Sequence, residues 1–354
     1  MAGTTHVYAG VAGTVGATHT GNLAGAFRLA VGDNKWEKLG GGLPDDAEVH
    51  AITVHPTDND TIYVGSTKGL YRSANRGGKF EKLALPGGDP DIWSVLIHPK
   101  DPRRIYAGAT PVAVYRSDDS GNSWKLTQDP GLPNRVHMAF ACRVMRLDVD
   151  PNSPDDIYAT MEANGAMRSR NAGDSWEDCT ADLIRFCEEP KYKSRIGSQT
   201  EIEGMLDGHA LACSAAAPGT VFLANRMGLF RSSDRGAHWV DMEIGKFSPQ
   251  TYGRDIRTSP IDPNVLYAAL APAARSTDGS VFRSDDVGKT WSRFDRGIKA
   301  EATMMGVSPH PTDANQVYAI SRCGQVFGTQ DGGKSWKENR LPEGTRDSYC
   351  IACG

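Results

Sequence analysis

The sequence repeats itself, and a chain that repeats a short unit folds by stacking copies of one supersecondary element. The unit reads aromatic-Arg-Ser and runs on through S-x-D-x-G-x-[ST]-W. It reads Tyr115-Arg116-SDDSGNSW to Trp124 and Phe282-Arg283-SDDVGKTW to Trp291, and Phe230-Arg231-SSDRGAHW to Trp239 with His238 at the Ser/Thr position. TQDGGKSW, ending at Trp336, keeps the turn without the Arg. Weaker copies end at Trp176, with Asn171 for the Asp, and at Phe80, with Asn75. A nearly erased one runs from Phe27-Arg28 to Trp36. The motif has a physical reading. Asp and Gly shape a tight turn, Asp accepts backbone N–H bonds, and Trp buries its ring beside it.

The aromatic ends fall at 36, 80, 124, 176, 239, 291 and 336, a period of 44 to 63 residues. About 45 residues make one four-stranded propeller blade. Upstream of each turn lies a second pattern, an apolar stretch, Pro, polar residues, then an aliphatic-aromatic pair. Ile52…Pro56…Ile62-Tyr63 and Ile256…Pro260…Leu266-Tyr267 are examples, and Ala215 replaces the Pro in the fifth unit. These are the first and second strands of each blade. The first unit lacks a first strand, since Val7-Tyr8 opens on a second one, while residues 347–353 are an orphan first strand. Joining the two closes the ring and hides the sheet edges. The expected fold is all-β, a single seven-bladed propeller over 1–354. Its blades are expected near 4–40 plus 346–353, 48–85, 91–128, 141–180, 207–243, 252–295 and 301–340, with a long insertion at 177–206. Gly 39 and Pro 20, spread evenly, suit many strands joined by tight turns.

The boxes resemble those of the Asp-box (BNR) propellers, a group that includes sialidases, xyloglucan-degrading glycosidases, the sortilin luminal domain and the photosystem II assembly factor. The resemblance covers almost the whole chain. It implies the fold and leaves the activity open, because one scaffold carries many jobs. It also implies that the boxes sit on the face opposite any active site, so Asp119, Asp234, Asp286 and Asp331 are expected to be structural. Seven units and no early Arg-Ile-Pro segment set the chain apart from catalytic sialidases. The assembly-factor likeness fits the length and blade count and implies protein binding.

Net charge is −4 with both signs interspersed, which argues against a nucleic-acid surface. No apolar run reaches the ~20 residues of a membrane span. MAGTTHVYAG has no charged and apolar leader pattern. The Cys count is odd, at seven, and Cys350 and Cys353 of the CxxC fall on opposite strand faces and are expected to pack. A cytoplasmic protein is expected, with no nucleic-acid or membrane partner.

Aligning the first strands on the Pro locates the candidate site. Six positions before it stand His50, Trp93, Met145, His209, Arg254, Met305 and Tyr349. Eight positions before it stand Glu48, Asp91, Arg143, Asp207, Tyr252, Thr303 and Asp347. Both sets fall at strand starts around one rim of the axis. Glu162, Asn225, Arg226, Arg275 and Arg322 reach that rim from second-strand ends, and His137 sits in the long 126–141 connection. Arg146, Asp148, Asp255 and Arg257 are expected to pair across the channel. Acids, His and Tyr in one ring suit acid–base chemistry, and Arg selects carboxylates. The expected function is a hydrolase or lyase for a small carboxylate-bearing or sugar-like substrate. His50 or His209 is its general base or acid, Asp207 or Asp91 orients the imidazole, and Tyr252 or Tyr349 moves a second proton. Arg143 and Arg254 clamp the anion, and Trp93, Tyr349, Glu48, His137, Glu162, Arg226 and Arg322 complete the substrate contacts. A glycosidase using paired carboxylates such as Asp91 and Asp207 would need them ~5 or ~6.5–9.5 Å apart. A divalent ion at His50 and His209 has no spacing motif behind it, so no cofactor is expected. The alternative is a non-catalytic module that grips a protein partner.

Overall fold

The computed structural model describes residues 4–13 and 21–354. The first three residues of the N-terminal segment and 14–20 of the first blade lie outside the described residues. Seven four-stranded antiparallel sheets make the fold. The innermost strands are Asp347–Cys353, Val49–His55, Asp91–Ile97, Val144–Val149, Gly208–Cys213, Tyr252–Thr258 and Met304–Pro309. Each packs on the innermost strand of the next blade, and Met304–Pro309 packs on Asp347–Cys353, so the circle is complete. The C-terminal strand pairs with His6–Ala12, Val7 facing Cys353 and Ala9 facing Ile351, and so closes blade one.

Each strand is half of an interface between blades, which is why aliphatic residues recur along it. The cores are a series of layers between neighbouring sheets, such as Tyr106, Val144 and Leu147 between blades three and four. Small residues allow the close approach. A Cβ on Gly10, Gly65 or Gly108, which hold one position in successive blades, would come within 2.9, 2.6 and 2.5 Å of Val49, Ile92 and Val144 of the next inner strand.

The box turns repeat one hydrogen-bond pattern. In blade three Asp119 accepts from the Ser123 amide at 2.8 Å and its hydroxyl at 2.6 Å, while Ser117 donates to Asp119 and accepts from Gly121 N–H at 2.8 Å. The residue before the Gly is left-handed, with φ between 57 and 62° at Arg76, Ser120, Ala172, Arg235 and Val287. In blades two to five its carbonyl is latched by the Arg of the preceding blade. Arg28 donates to Arg76 O at 2.7 Å, Arg72 to Ser120 O at 2.5 Å, Arg116 to Ala172 O at 2.9 Å and Arg168 to Arg235 O at 2.5 Å. The aromatic-Arg-Ser half of the repeat is thus an inter-blade tie.

The 177–206 connection is built rather than loose, with helices Ala181–Phe186 and Glu203–Leu206. Leu183, Tyr192 and Leu206 pack with Phe230 and Trp239 of blade five. All seven cysteines are free, and Cys353 packs against Ser308. Among the described residues no helix is long and apolar enough to cross a membrane.

Candidate functional site

Every inner strand carries a β-bulge at the same place in each blade, and Val49–His55 has a second register shift at its far end, between Val54 and His55. The ladder steps over His50, Trp93, Met145, His209, Arg254 and Met305 in blades two to seven, and over Tyr349 in blade one. A bulge residue leaves the ladder and its side chain is re-aimed. Here all seven side chains line one hollow on the axis. Above them opens a cavity of about 420 Å³. Its wall includes Trp93, Arg143, Glu162, Asp207, His209, Arg226, Tyr252, Arg254, Arg322 and Tyr349, which the sequence placed at this rim.

On one side four planar groups stack. His50 lies 3.7 Å from Trp93 at 14°, and the Arg143 guanidinium lies 4.0 Å from the Trp93 ring and 4.5 Å from Phe140. Two groups this close to one ring cannot share a face, so His50 and Arg143 cover opposite sides of Trp93. His50 Nδ1 meets Asp91 at 3.0 Å, and Arg143 Nε stands 2.5 Å from Glu162 Oε2, an ion pair without a well-directed hydrogen bond.

On the other side His209 Nδ1 donates to the Gly253 carbonyl at 2.7 Å. Nε2 lies 3.1 Å from the Tyr252 hydroxyl and 3.3 Å from Asp207 Oδ2, so it accepts from Tyr252 when the ring is neutral and donates to the Asp207 carboxylate when the ring is protonated. Asp207 also receives Arg226 Nε at 3.2 Å. Burial pushes the His209 imidazole below its ordinary value against the pull of Asp207. Burial also works to raise Asp207, but His209 and Arg226 outweigh it and hold the carboxyl at about 2. Glu162 goes the other way. Burial, then the Asp207 charge, push it up to about 7 against Arg143, Arg254 and Arg226. Burial lifts the Tyr252 phenol to about 12.

Three of the arginines are paired, Arg143 with Glu162, Arg226 with Asp207, and Arg322 with Asp347 at 3.0 Å. Arg254 differs. It is 8% exposed, and its nearest recorded partner is the Tyr349 ring at 5.9 Å. Among the described residues its side chain has no ion pair or hydrogen bond. Asp207 Oδ1, Trp93 Nε1 and Arg322 Nε in the same wall are buried without partners.

Not every rim candidate reaches the cavity. His50 lines only the hollow beneath it, and Asp91 supports His50. Glu48 pairs with Arg346 at 2.8 Å. His137 is exposed and lines a neighbouring cavity of about 360 Å³ with Leu132, Met138 and Phe140. Asp91 and Asp207 therefore serve different parts of the rim. Deeper in the channel Arg146 reaches Asp255 at 3.2 Å across the axis, and Arg257 meets the same carboxylate at 3.1 Å. Asp148 accepts instead from the Cys213 and Val149 amides at 2.8 Å each. Met138, Phe140, Ile196 and Glu203 also line the main cavity and were not singled out from the sequence. Their only sequence signal was membership of the two long connections. Glu203 accepts the Ile196, Gly197 and Ser198 amides at 2.8–2.9 Å and ties that segment to the mouth. Among the described residues no cluster of three or more His, Cys, Asp or Glu stands ready for a metal ion.

Comparison with known proteins adds three likenesses. The Sortilin-Vps10 family, described as sortilin, neurotensin receptor 3, matches residues 279–350. Vacuolar protein sorting/targeting protein 10 of Mycosarcoma maydis is 40% identical over 68 residues, 19% of this chain and 4% of that protein. Its counterpart in Emericella nidulans is 36% identical over 67 residues, 19% of this chain and 5% of that protein. The matched stretch is thus a small part of much longer relatives. The GH74 xyloglucanase of Xanthomonas campestris superposes with a TM-score of 0.64 at 18% identity, covering 97% of this chain and 55% of that one. YCF48 from Cyanidioschyzon merolae gives 0.57 at 15%, covering 86% and 87%. YCF48 bound to D1 peptide gives 0.55 at 13%, covering 86% and 90%. At such identities the solved structures speak for the fold alone. The expected cytoplasmic location is corrected by the sequence relatives, which are vacuolar sorting proteins. The lack of a leader pattern in the first ten residues was no guide to compartment.

Proposed function

This chain belongs to the Asp-box (BNR) β-propeller superfamily, and from that premise we propose that its axial cavity is the active site of a hydrolase or lyase for a small carboxylate-bearing or sugar-like molecule. The observation that carries the reading is Arg254. A guanidinium nine-tenths buried at a cavity wall with no ion pair or hydrogen bond among the described residues is a costly arrangement, and a bound carboxylate relieves it through charge-assisted hydrogen bonds. Around it two carboxyl groups are driven apart, Glu162 towards the protonated form and Asp207 towards the ionised one. Such a split is how one pocket holds an acid and an anion at the same pH. In this scheme Arg254 anchors the ligand, and Glu162 gives its proton to the leaving oxygen. His209, whose burial favours the neutral ring and whose Nε2 faces the Tyr252 hydroxyl, takes a proton through that hydroxyl. Asp207 steadies the imidazolium that results.

Calorimetric titration with D-glucuronate, alongside hydrolysis of 4-nitrophenyl glycuronides, tests this. Arg254→Met is expected to weaken carboxylate binding by roughly 10- to 100-fold, the worth of a hydrogen bond to a charged group. Glu162→Gln is expected to cut turnover by about 10²- to 10⁴-fold with binding retained. Glucuronate binding that ignores Arg254 would end the reading. A second reading is favoured by the sortilin-family match and the peptide-bound YCF48 likeness, namely that the same arginine takes a carboxylate of a protein partner without chemistry. It predicts tight peptide binding, dependence on Arg254, and no turnover in the native protein.

A further inference from the structure

We propose that Phe140, brought in by the connection between blades three and four, is a positioning residue that holds the Arg143 guanidinium against Glu162. The proposal rests on the reading above in that it gives Glu162 a functional role, but it stands on geometry of its own. Arg143 is planar and 8% exposed. Its Cζ lies over the Trp93 ring at 4.0 Å and over the Phe140 ring at 4.5 Å, while His50 stacks on Trp93 at 3.7 Å. His50 is in turn fixed by Asp91 at 3.0 Å. The Trp93 end of this stack stands on inner strands. The Phe140 end stands on a segment that belongs to no strand. One turn of that segment therefore decides whether the sandwich is closed.

The ion pair depends on the sandwich because nothing else aligns it. Arg143 Nε and Glu162 Oε2 are 2.5 Å apart yet neither makes a directed hydrogen bond, and no other partner of the Arg143 head is recorded among the described residues. A guanidinium between two rings keeps its plane and gains cation–π attraction on both faces. With one ring removed the side chain regains its rotamers and the 2.5 Å approach is lost.

The sign of one measurement separates this from a passive cover. Glu162 faces Arg143, Arg226 and Arg254, which favour its charged form, and Asp207, which opposes it. Cys142 and Tyr349 are its other titratable neighbours. If Phe140 positions Arg143, its loss removes a cation from Glu162, and the carboxyl midpoint rises. If Phe140 only keeps water out, its loss hydrates the carboxylate, and the midpoint falls. The Glu162 carboxyl carbon, assigned by its disappearance in Glu162→Gln, is followed by ¹³C NMR against pH. Arg143→Met sets the reference, a rise of about one pH unit for a lost neighbouring charge. Phe140→Ala is expected to move the midpoint the same way by at least about half that. Phe140→Tyr, which restores the ring face, is expected to return it to the native value. Phe140→Leu keeps the apolar bulk without the π face and serves if the alanine variant does not fold, with a rise again expected. A fall or no change in the Ala and Leu variants overturns the proposal. A native midpoint in the ordinary carboxylate range, or unchanged turnover in Glu162→Gln, would instead remove Glu162 as the acid and leave the direction of the Phe140 effect readable.

Discussion

Glu162 is the side chain whose charge the axial cavity tolerates least. Its carboxyl is raised from an ordinary 4.5 to about 7, so between those values the folded chain holds a proton that the unfolded chain has released. The stability Glu162 contributes is full below about pH 4.5 and is lost as pH rises through 7. Asp207 and His209 are shifted down and act in the opposite direction, Asp207 between about 2 and 3.8 and His209 below 6.5. The native protein therefore hides the effect, and a difference reveals it. Glu162→Gln is expected to lose least, relative to native, at pH 8 and most at pH 5. The change between the two is on the order of 2 kcal/mol in urea unfolding, since each tenfold change in proton affinity is worth about 1.4 kcal/mol. Parallel curves at the two pH values would refute the raised carboxyl. The sequence offered Glu162 only as a rim position at a strand end, since the residues that share its cavity wall come from distant parts of the chain and leave no linear signal. The seven bulge residues were legible as a column six places before the Pro, because strand length and register repeat. That each is a bulge was not legible, since the types there range from Met to Arg and only the ladder shows the skipped residue.

At the scale of the element, the turn and the tie are two halves of one motif. The turn was readable because each residue in it does a local job. Asn171 keeps that job in blade four, accepting the Ser175 amide at 2.9 Å, and Asn75 does so in blade two with Lys79 N–H at 2.8 Å. The weak copies are weak in letters and intact in bonds. The tie was not readable, because the Arg of one unit bonds a carbonyl some 50 residues away, as with Arg116 and Ala172. Arg116 also grips Asp118, with Nε at 2.9 Å. Arg116→Lys is expected to cost about 1–2 kcal/mol in chemical denaturation, since an ammonium cannot serve both acceptors in the guanidinium fork. The equivalent change at Arg283, whose recorded hydrogen bond is local to Asp285, should cost less. Equal costs at the two sites would mean that the inter-blade bond adds nothing. The 177–206 connection shows the same limit. Its length marked it, yet only the structure reveals that most of it is packed against blade five and only its last third touches the cavity.

At the scale of the molecule, one strand holds the circle shut. Residues 347–353 pair with the N-terminal strand, and the last residue exchanges hydrogen bonds with His6 at 2.8 and 3.0 Å. The same strand feeds two cores. Ile351 and Cys353 pack with Met305 and Tyr318 of blade seven, while Cys350 and Ala352 turn towards Ile52 and Val64 of blade two. It also supplies Tyr349 to the axial hollow. Removing residues 346–354 takes several side chains out of both interfaces, each worth about 1.5–3 kcal/mol. The sum is on the order of 5 kcal/mol or more, comparable with the whole net stability of about 5–15 kcal/mol typical of a folded domain. The truncated chain is expected to lose cooperative unfolding. A permutant separates the missing strand from the missing closure. Joining Gly354 to Thr4 through a short glycine linker and opening the chain between Pro342 and Glu343 keeps every strand but makes blade one contiguous. Only the staple between first and last blades is lost. That permutant is expected to fold with the native cavity and to unfold faster, because separating blade seven from blade one no longer requires a strand to leave its sheet. Scanning calorimetry of the truncation and stopped-flow unfolding of the permutant read the two effects. A truncated chain that still melts in one native-like transition would show that the six complete blades close without the inner strand of blade one.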